Sequence, residues 1–295
     1  MIVDDVDRHL HRLQISTRQA VNDLLAGEYL SVFRGRGVEF DEVREYQPGD
    51  DVRSIDWNVT ARTGSPHIKR FVEERELTLY FLVDMSASNR FGSDDKTKNE
   101  AAVELAALLA FSAVKNNDRV GLILFTEEVE RYVAPSKGRA HVMRLLNELS
   151  TFEPKHRGTN IEEALSFLNR VTSKSTVSFL VSDFQAEDYE DEMIEAARRH
   201  DLIAAIIGDP HERELPPVGL VQMRDAETGD VRVVDTASAG VRAAFRDCVA
   251  EHRQKLHAFL DELDVDYLDL MTGADHVAEL HGFFQSRMAK GVRHA

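Results

Sequence analysis

The sequence predicts an α/β fold: a doubly wound, mostly parallel sheet with helices on both faces, preceded by a small N-terminal module of helix and short β-structure. Three observations lead there. Continuous apolar runs at 77–83, 120–125, 177–182 and 202–208 have strand length without polar alternation, the mark of strands covered on both faces. The segments between most of them carry helical periodicity and are long enough for the crossovers that parallel pairing requires. Residues 1–76 lack this alternation of covered strands and helices, so the chain divides into an N-terminal helix with an arginine- and glycine-rich module (1–76) and a sheet domain (77–295).

In order along the chain, Val6, Leu10, Leu13, Val21, Leu24 and Leu25 suit an amphipathic helix or helix pair within 5–30. Gly35, Gly37, Pro48, Gly49, Gly64 and Pro66 then punctuate short extended pieces. LTLYFLV (77–83) is the first covered strand, followed by an Ala- and Leu-rich helix over 97–115. VGLILF (120–125) is the second, with VERYVA (129–134) as an edge-like partner and helices near 138–149 and 160–172. VSFLVS (177–182) precedes a helix at 188–199 and the strand LIAAIIG (202–208). VGLVQMRD and DVRVVD flank AETG as a hairpin, and a long helix at 238–262, a strand at 265–271 and a helix at 276–289 complete the pattern.

Composition excludes several function classes. Lys and Arg number 36 against 52 Asp and Glu, a net charge of −16, so most of the surface repels phosphate backbones and a general nucleic-acid binder is excluded. One cysteine, Cys248, rules out an internal disulfide framework and multi-cysteine metal sites. The start, MIVDDVDRHLHRL, lacks the basic-then-apolar order of a signal peptide. The longest apolar stretch, 101–114, is broken by Glu104 and shorter than the ~20 residues of a membrane span. These features describe a cytoplasmic protein. There is no G-x-x-x-x-G-K-[ST] loop and no G-x-S-x-G elbow, so the chain is neither an ATPase of that type nor a serine hydrolase.

Doubly wound sheets bind ligands beyond the carboxyl ends of their strands. The residues expected there are Asp84, Ser86 and Ser88 after the first covered strand, Thr159 in the Gly158-Thr159-Asn160 loop, and Ser182-Asp183 after the third. All are hard oxygen donors, which suit magnesium, manganese or calcium rather than zinc or copper. Two carboxylates bring little charge, so an ion held there stays electropositive and can accept an external carboxylate.

This order of Asp-x-Ser-x-Ser, a later Thr and a strand-end Asp resembles the metal-ion-dependent adhesion site of von Willebrand factor A domains. The resemblance implies Ser86, Ser88 and Thr159 as direct ligands, with Asp84 and Asp183 direct or acting through water, and Mg2+ as the first choice of ion, Mn2+ or Ca2+ as alternatives. Upstream, RGRGVEFDEVREYQPGDDVRSIDWNVTARTGSPHIKRFVEERE is similar to the signature of family 58 of domains of unknown function, and the similarity extends to FTEEVERYVAPSKGRAHVMRLL. That family resemblance implies a von Willebrand A-like fold and a MoxR-type AAA+ ATPase as partner. Asn89 departs from the pattern, standing where an apolar residue, often Met, is expected. Many relatives also carry transmembrane helices before the signature, and this chain has none there.

Ordinary structural roles compete with some of these readings. Asn160 suits a helix N-cap, which leaves Thr159 free to face the ion. The arginines between Arg34 and Arg75 alternate with acids such as Glu45, Asp50 and Asp56, a pattern of ion pairs rather than a phosphate track. Trp57 is expected to pack the small module onto the sheet domain, Cys248 to be a small packed residue, and the twelve histidines, none at ligand spacing, to lie at the surface. The function expected is a non-enzymatic, metal-dependent protein-binding module, an adaptor or co-chaperone that engages its partner through an acidic side chain. A magnesium-dependent phosphoryl-transfer enzyme or hydrolase with Asp84 as nucleophile is the first alternative; against it, Ser86 stands where a second aspartate would act as general acid, and no lysine is evident at the expected strand end. A metal-independent scaffold is the second.

Overall fold

The computed structural model describes residues 26–33, 39–47, 50–52, 55–72, 76–93 and 96–293. The predicted helix before Ala26, with Gly35, Gly37, Pro48 and Gly49, lies outside them.

A six-stranded sheet forms the centre: β3 (Thr78–Asp84), β4 (Arg119–Phe125), β5 (Val129–Ser136), β6 (Val177–Ser182), β7 (Asp201–Gly208) and β10 (Asp266–Met271). Their spatial order is β5-β4-β3-β6-β7-β10, parallel throughout except for β5, which runs antiparallel to β4 at one edge. The order reverses between β3 and β6, as the doubly wound fold requires. The predicted architecture is the one found, including the edge strand.

Side-chain alternation along β3 builds two cores. Leu79, Phe81 and Val83 pack on one face with α3 (Lys98–Lys115), α4 (Arg139–Thr151) and α9 (His276–Arg293), while Tyr80 and Leu82 pack on the other with α5 (Ile161–Val171), α6 (Glu190–Arg199) and α8 (Ala239–Glu262). The short helix α1 (Ala26–Phe33) joins the first core: the Phe33 ring lies 5.8 Å from Phe284 and 6.0 Å from Phe179. Among the described residues no helix is long and apolar enough to cross a membrane.

Two smaller pieces flank this body. β1 (Glu39–Glu45) pairs antiparallel with β2 (His67–Val72), and α2 (Trp57–Thr63) lies between them in sequence, capped by Asp56, which accepts from the Asn58 and Val59 amides. Arg44 grips both carboxylate oxygens of Asp50, the structural pairing the interleaved charges predicted. After α7 (Pro210–Arg213), the hairpin of β8 (Leu220–Arg224) and β9 (Val231–Asp235) stands outside the main sheet, where the AETG turn placed it.

Three local expectations fail. Trp57 is 69% exposed, so it does not pack the module onto the sheet domain. Cys248 is exposed, because it lies on the outer face of α8. His200 and His276 are buried, held by partners distant in sequence that local spacing cannot reveal.

Candidate metal centre

The carboxyl ends of β3 and β6 bring the predicted residues together. Asp84 is the last residue of β3, buried, and its Oδ1 accepts the Ser86 amide at 2.9 Å, which folds the Asp-x-Ser-x-Ser loop back over the strand end. Ser86 is fully buried, and its Oγ lies 3.1 Å from that of Ser88. Ser88 donates to Asp183 Oδ2 at 2.9 Å, linking the β3 loop to the end of β6. Thr159 reaches Asp84 Oδ2 at 3.5 Å from the next loop, while Asn160 caps α5 by accepting the Glu163 amide at 2.9 Å. Each neighbouring pair among Asp84, Ser86, Ser88, Asp183 and Thr159 is thus within hydrogen-bond reach.

The backbone makes this edge rigid. Met85 N donates to Phe125 O, Ala87 N to Arg157 O and Asn160 N to Thr126 O, which stitches the three loops together. Phe184, directly after Asp183, is buried at a φ of 57°, a conformation bulky side chains rarely adopt. It is held there because its amide donates to Ser182 Oγ at 3.1 Å.

Ser182, expected at this edge but not as a ligand, enters the site, as do three side chains that sequence reasoning did not assign to it. Ser182 donates to Asp84 Oδ2 at 2.7 Å and so fixes that carboxylate. Asn89, the departure from the family pattern, turns its amide inward to within 3.5 Å of Ser86 Oγ. Lys98 has no solvent exposure, and its ammonium lies 2.7 Å from both Asp183 Oδ2 and Glu212 Oε1. Burial opposes its charge, but Asp183 and Glu212 outweigh that cost and raise its pKa. The signal for Lys98 was a lysine in the first turn of an otherwise apolar helix, the end where the helix dipole disfavours a cation. Glu227, from the β8–β9 turn, accepts from Thr159 Oγ1 at 2.9 Å.

Charge at the site is unbalanced toward the negative. Among the described residues the ammonium of Lys98 pairs with Asp183 and Glu212, while Asp84 and Glu227 lie near Asp183 and add negative charge. Burial, then the nearby Asp183, pushes the Asp84 carboxyl up to about 6. Among the described residues no three His, Cys, Asp or Glu side chains gather as a metal-binding group, so a cation held here would have to draw on hydroxyls as well. Hard oxygens, surplus negative charge and a rigid loop fit a divalent ion of the magnesium class and do not fit a soft metal.

A family model described as "Protein of unknown function DUF58" matches residues 42–255. The chain belongs to this family. The family is the one that the Arg34–Glu76 signature indicated. Over 281 residues the chain is 33% identical to "Uncharacterized protein Rv1480" of Mycobacterium tuberculosis, covering 94% of this chain and 88% of that protein. A shorter similarity, 30% over 108 residues, links it to "Uncharacterized protein YeaD" of Bacillus subtilis, covering 37% of this chain and 25% of that one. Among solved structures it is similar to the conserved hypothetical protein BatB from Bacteroides thetaiotaomicron, at 18% identity over 72% of this chain and 99% of that one, with a TM-score of 0.47. It is also similar to the SpRpn10 VWA domain, at 11% identity over 70% of this chain and 94% of that one, with a TM-score of 0.41.

Proposed function

We propose that this DUF58 protein is a non-enzymatic protein-binding module that works through a divalent ion, Mg2+ first, with Mn2+ or Ca2+ as alternatives. The observation that carries this reading is the meeting of Asp84, Ser86, Ser88, Thr159 and Asp183 at one sheet edge, rich in hydroxyls and poor in countercharge. An ion whose direct donors are mostly neutral hydroxyls would supply a local positive point for a partner's Glu or Asp on a protein of net charge −16. Ser86, Ser88 and Thr159 would hold it by their hydroxyl oxygens. Asp84 and Asp183 would hold it directly or through water, with Ser182 and Lys98 fixing the two carboxylates. The family resemblance in the sequence makes a MoxR-type AAA+ ATPase the partner to try first, with this chain acting in the cytoplasm as its adaptor or co-chaperone.

Against catalysis by Asp84 stands Ser86 at the position a general acid would need. Calorimetric titration with Mg2+ and Mn2+, wild type beside Ser86→Ala/Asp183→Ala, tests the metal reading: binding in the first and none in the second is expected. Chelator-sensitive capture of a purified MoxR-type ATPase tests the partner. Turnover of a phosphate ester that Asp84→Asn abolishes would overturn the non-enzymatic reading.

A further inference from the structure

The β8–β9 hairpin has no strand neighbour in the main sheet, yet its turn reaches back to the metal centre. The turn is well built. Asp225 Oδ1 accepts the Glu227 and Thr228 amides, each at 2.9 Å, and Gly229 supplies the positive φ of 79° that closes it. Arg157, next to the Gly-Thr-Asn loop, donates to Ala226 O at 2.6 Å and ties the turn down. Beside that tie, Glu227 Oε1 sits 2.9 Å from Thr159 Oγ1.

Two features of that contact point to a cation. Thr159 has one hydroxyl proton; the 2.9 Å contact to Glu227 takes it in preference to the 3.5 Å contact to Asp84, which leaves the Thr159 lone pairs free to ligate. The Arg157 tie also holds the turn so that this carboxylate meets Thr159 rather than solvent.

We infer that Glu227 is an internal acidic ligand of this centre, so that the β8–β9 turn supplies the carboxylate a partner would otherwise provide and caps the site until a partner displaces it. The inference rests on the metal reading above and deepens it. A partner acid then competes with a tethered one, and recognition requires the turn to swing away.

The test uses the full chain with Mg2+ alone as probe, read by calorimetry and by amide hydrogen exchange. In the wild type, Mg2+ is expected to slow exchange both in the 84–89 loop and in the 225–229 turn. Glu227→Gln, which keeps the hydrogen bond from Thr159 but loses the charge, and Glu227→Ala are expected to weaken Mg2+ binding by about tenfold or more. In both variants the slowing at 225–229 should vanish while that at 84–89 remains. Unchanged affinity in both variants, with Mg2+ slowing only the 84–89 loop, would overturn the role of Glu227 and leave the metal centre standing. No Mg2+ binding by the wild type would overturn the metal reading and this inference together, because a site completed by Glu227 needs no partner to bind its ion.

Discussion

Lys98 Nζ lies 2.7 Å from Asp183 Oδ2, and the lysine has no exposure to water. Among the described residues its ammonium is paired with two carboxylates, the second being Glu212 on α7. Removing one partner of a buried pair leaves the other uncompensated, at a cost of roughly 3–5 kcal/mol. Lys98→Met is therefore expected to lower stability by that order in urea denaturation. Lys98→Met/Asp183→Asn, which removes the stranded charge as well, should recover part of the loss. If the double variant is no more stable than the single one, the ion pair is not what positions α3.

Binding of an ion to the folded state alone must show as stability. At a hundredfold excess over Kd the gain is about 2.7 kcal/mol. Thermal unfolding of the wild type is expected to shift upward with Mg2+ and return with chelator. Ser86→Ala/Asp183→Ala should not respond. An equal shift in both proteins would mean that the ion binds elsewhere.

These two predictions draw on different depths of the sequence. Asp84, Ser86, Ser88, Thr159 and Asp183 were legible because each follows a strand or opens a helix, and covered strands announce themselves by unbroken apolar runs. Lys98 and Glu227 were not. Lys98 reaches Asp183 across 85 positions, and Glu227 reaches Thr159 across 68, through the docking of a helix and the lean of a hairpin. No local period encodes either. The same blindness explains Trp57, which sits on a helix with no buried residue, and His200, whose burial depends on Asn169 and Thr176.

Backbone crowding near Lys98 gives a sharper test of the loop. A Cβ on Gly92 would stand 2.3 Å from Lys96 O, so the loop that delivers Lys98 must shift. That carbonyl belongs to the backbone and cannot rotate away as a side chain could. Gly92→Ala should cost about 1–3 kcal/mol and weaken Mg2+ binding. Gly282, in α9, has nothing within 4 Å of the point a Cβ would occupy, and its φ is ordinary. Gly282→Ala should therefore gain up to about 1 kcal/mol from helix propensity. Denaturation of the two variants side by side checks both signs.

His200 sets an acid limit on the fold. Thr176 N donates to its Nδ1 at 3.3 Å, which requires a lone pair there, and Nε2 is left to face Asn169 Oδ1 at 3.2 Å. Burial first, then the charge of Arg199, lowers its pKa to about 4. Unfolded, it titrates near 6.5. Between those values the unfolded chain binds a proton that the folded chain refuses, so stability falls as the pH drops from about 6.5 to about 4 and this contribution is flat outside that window. The full excursion is of the order of 3 kcal/mol. His200→Gln, which cannot take up the proton, should lose some stability at neutral pH through poorer fit. Asp84, held up to about 6, contributes with the opposite sign in both proteins, so the quantity to read is the difference between them. The wild type is expected to lose about 3 kcal/mol relative to the variant as the pH drops from about 6.5 to about 4. A difference between wild type and variant that stays constant from pH 6.5 to 4 would show that His200 takes up its proton in the fold and that Thr176 holds it differently.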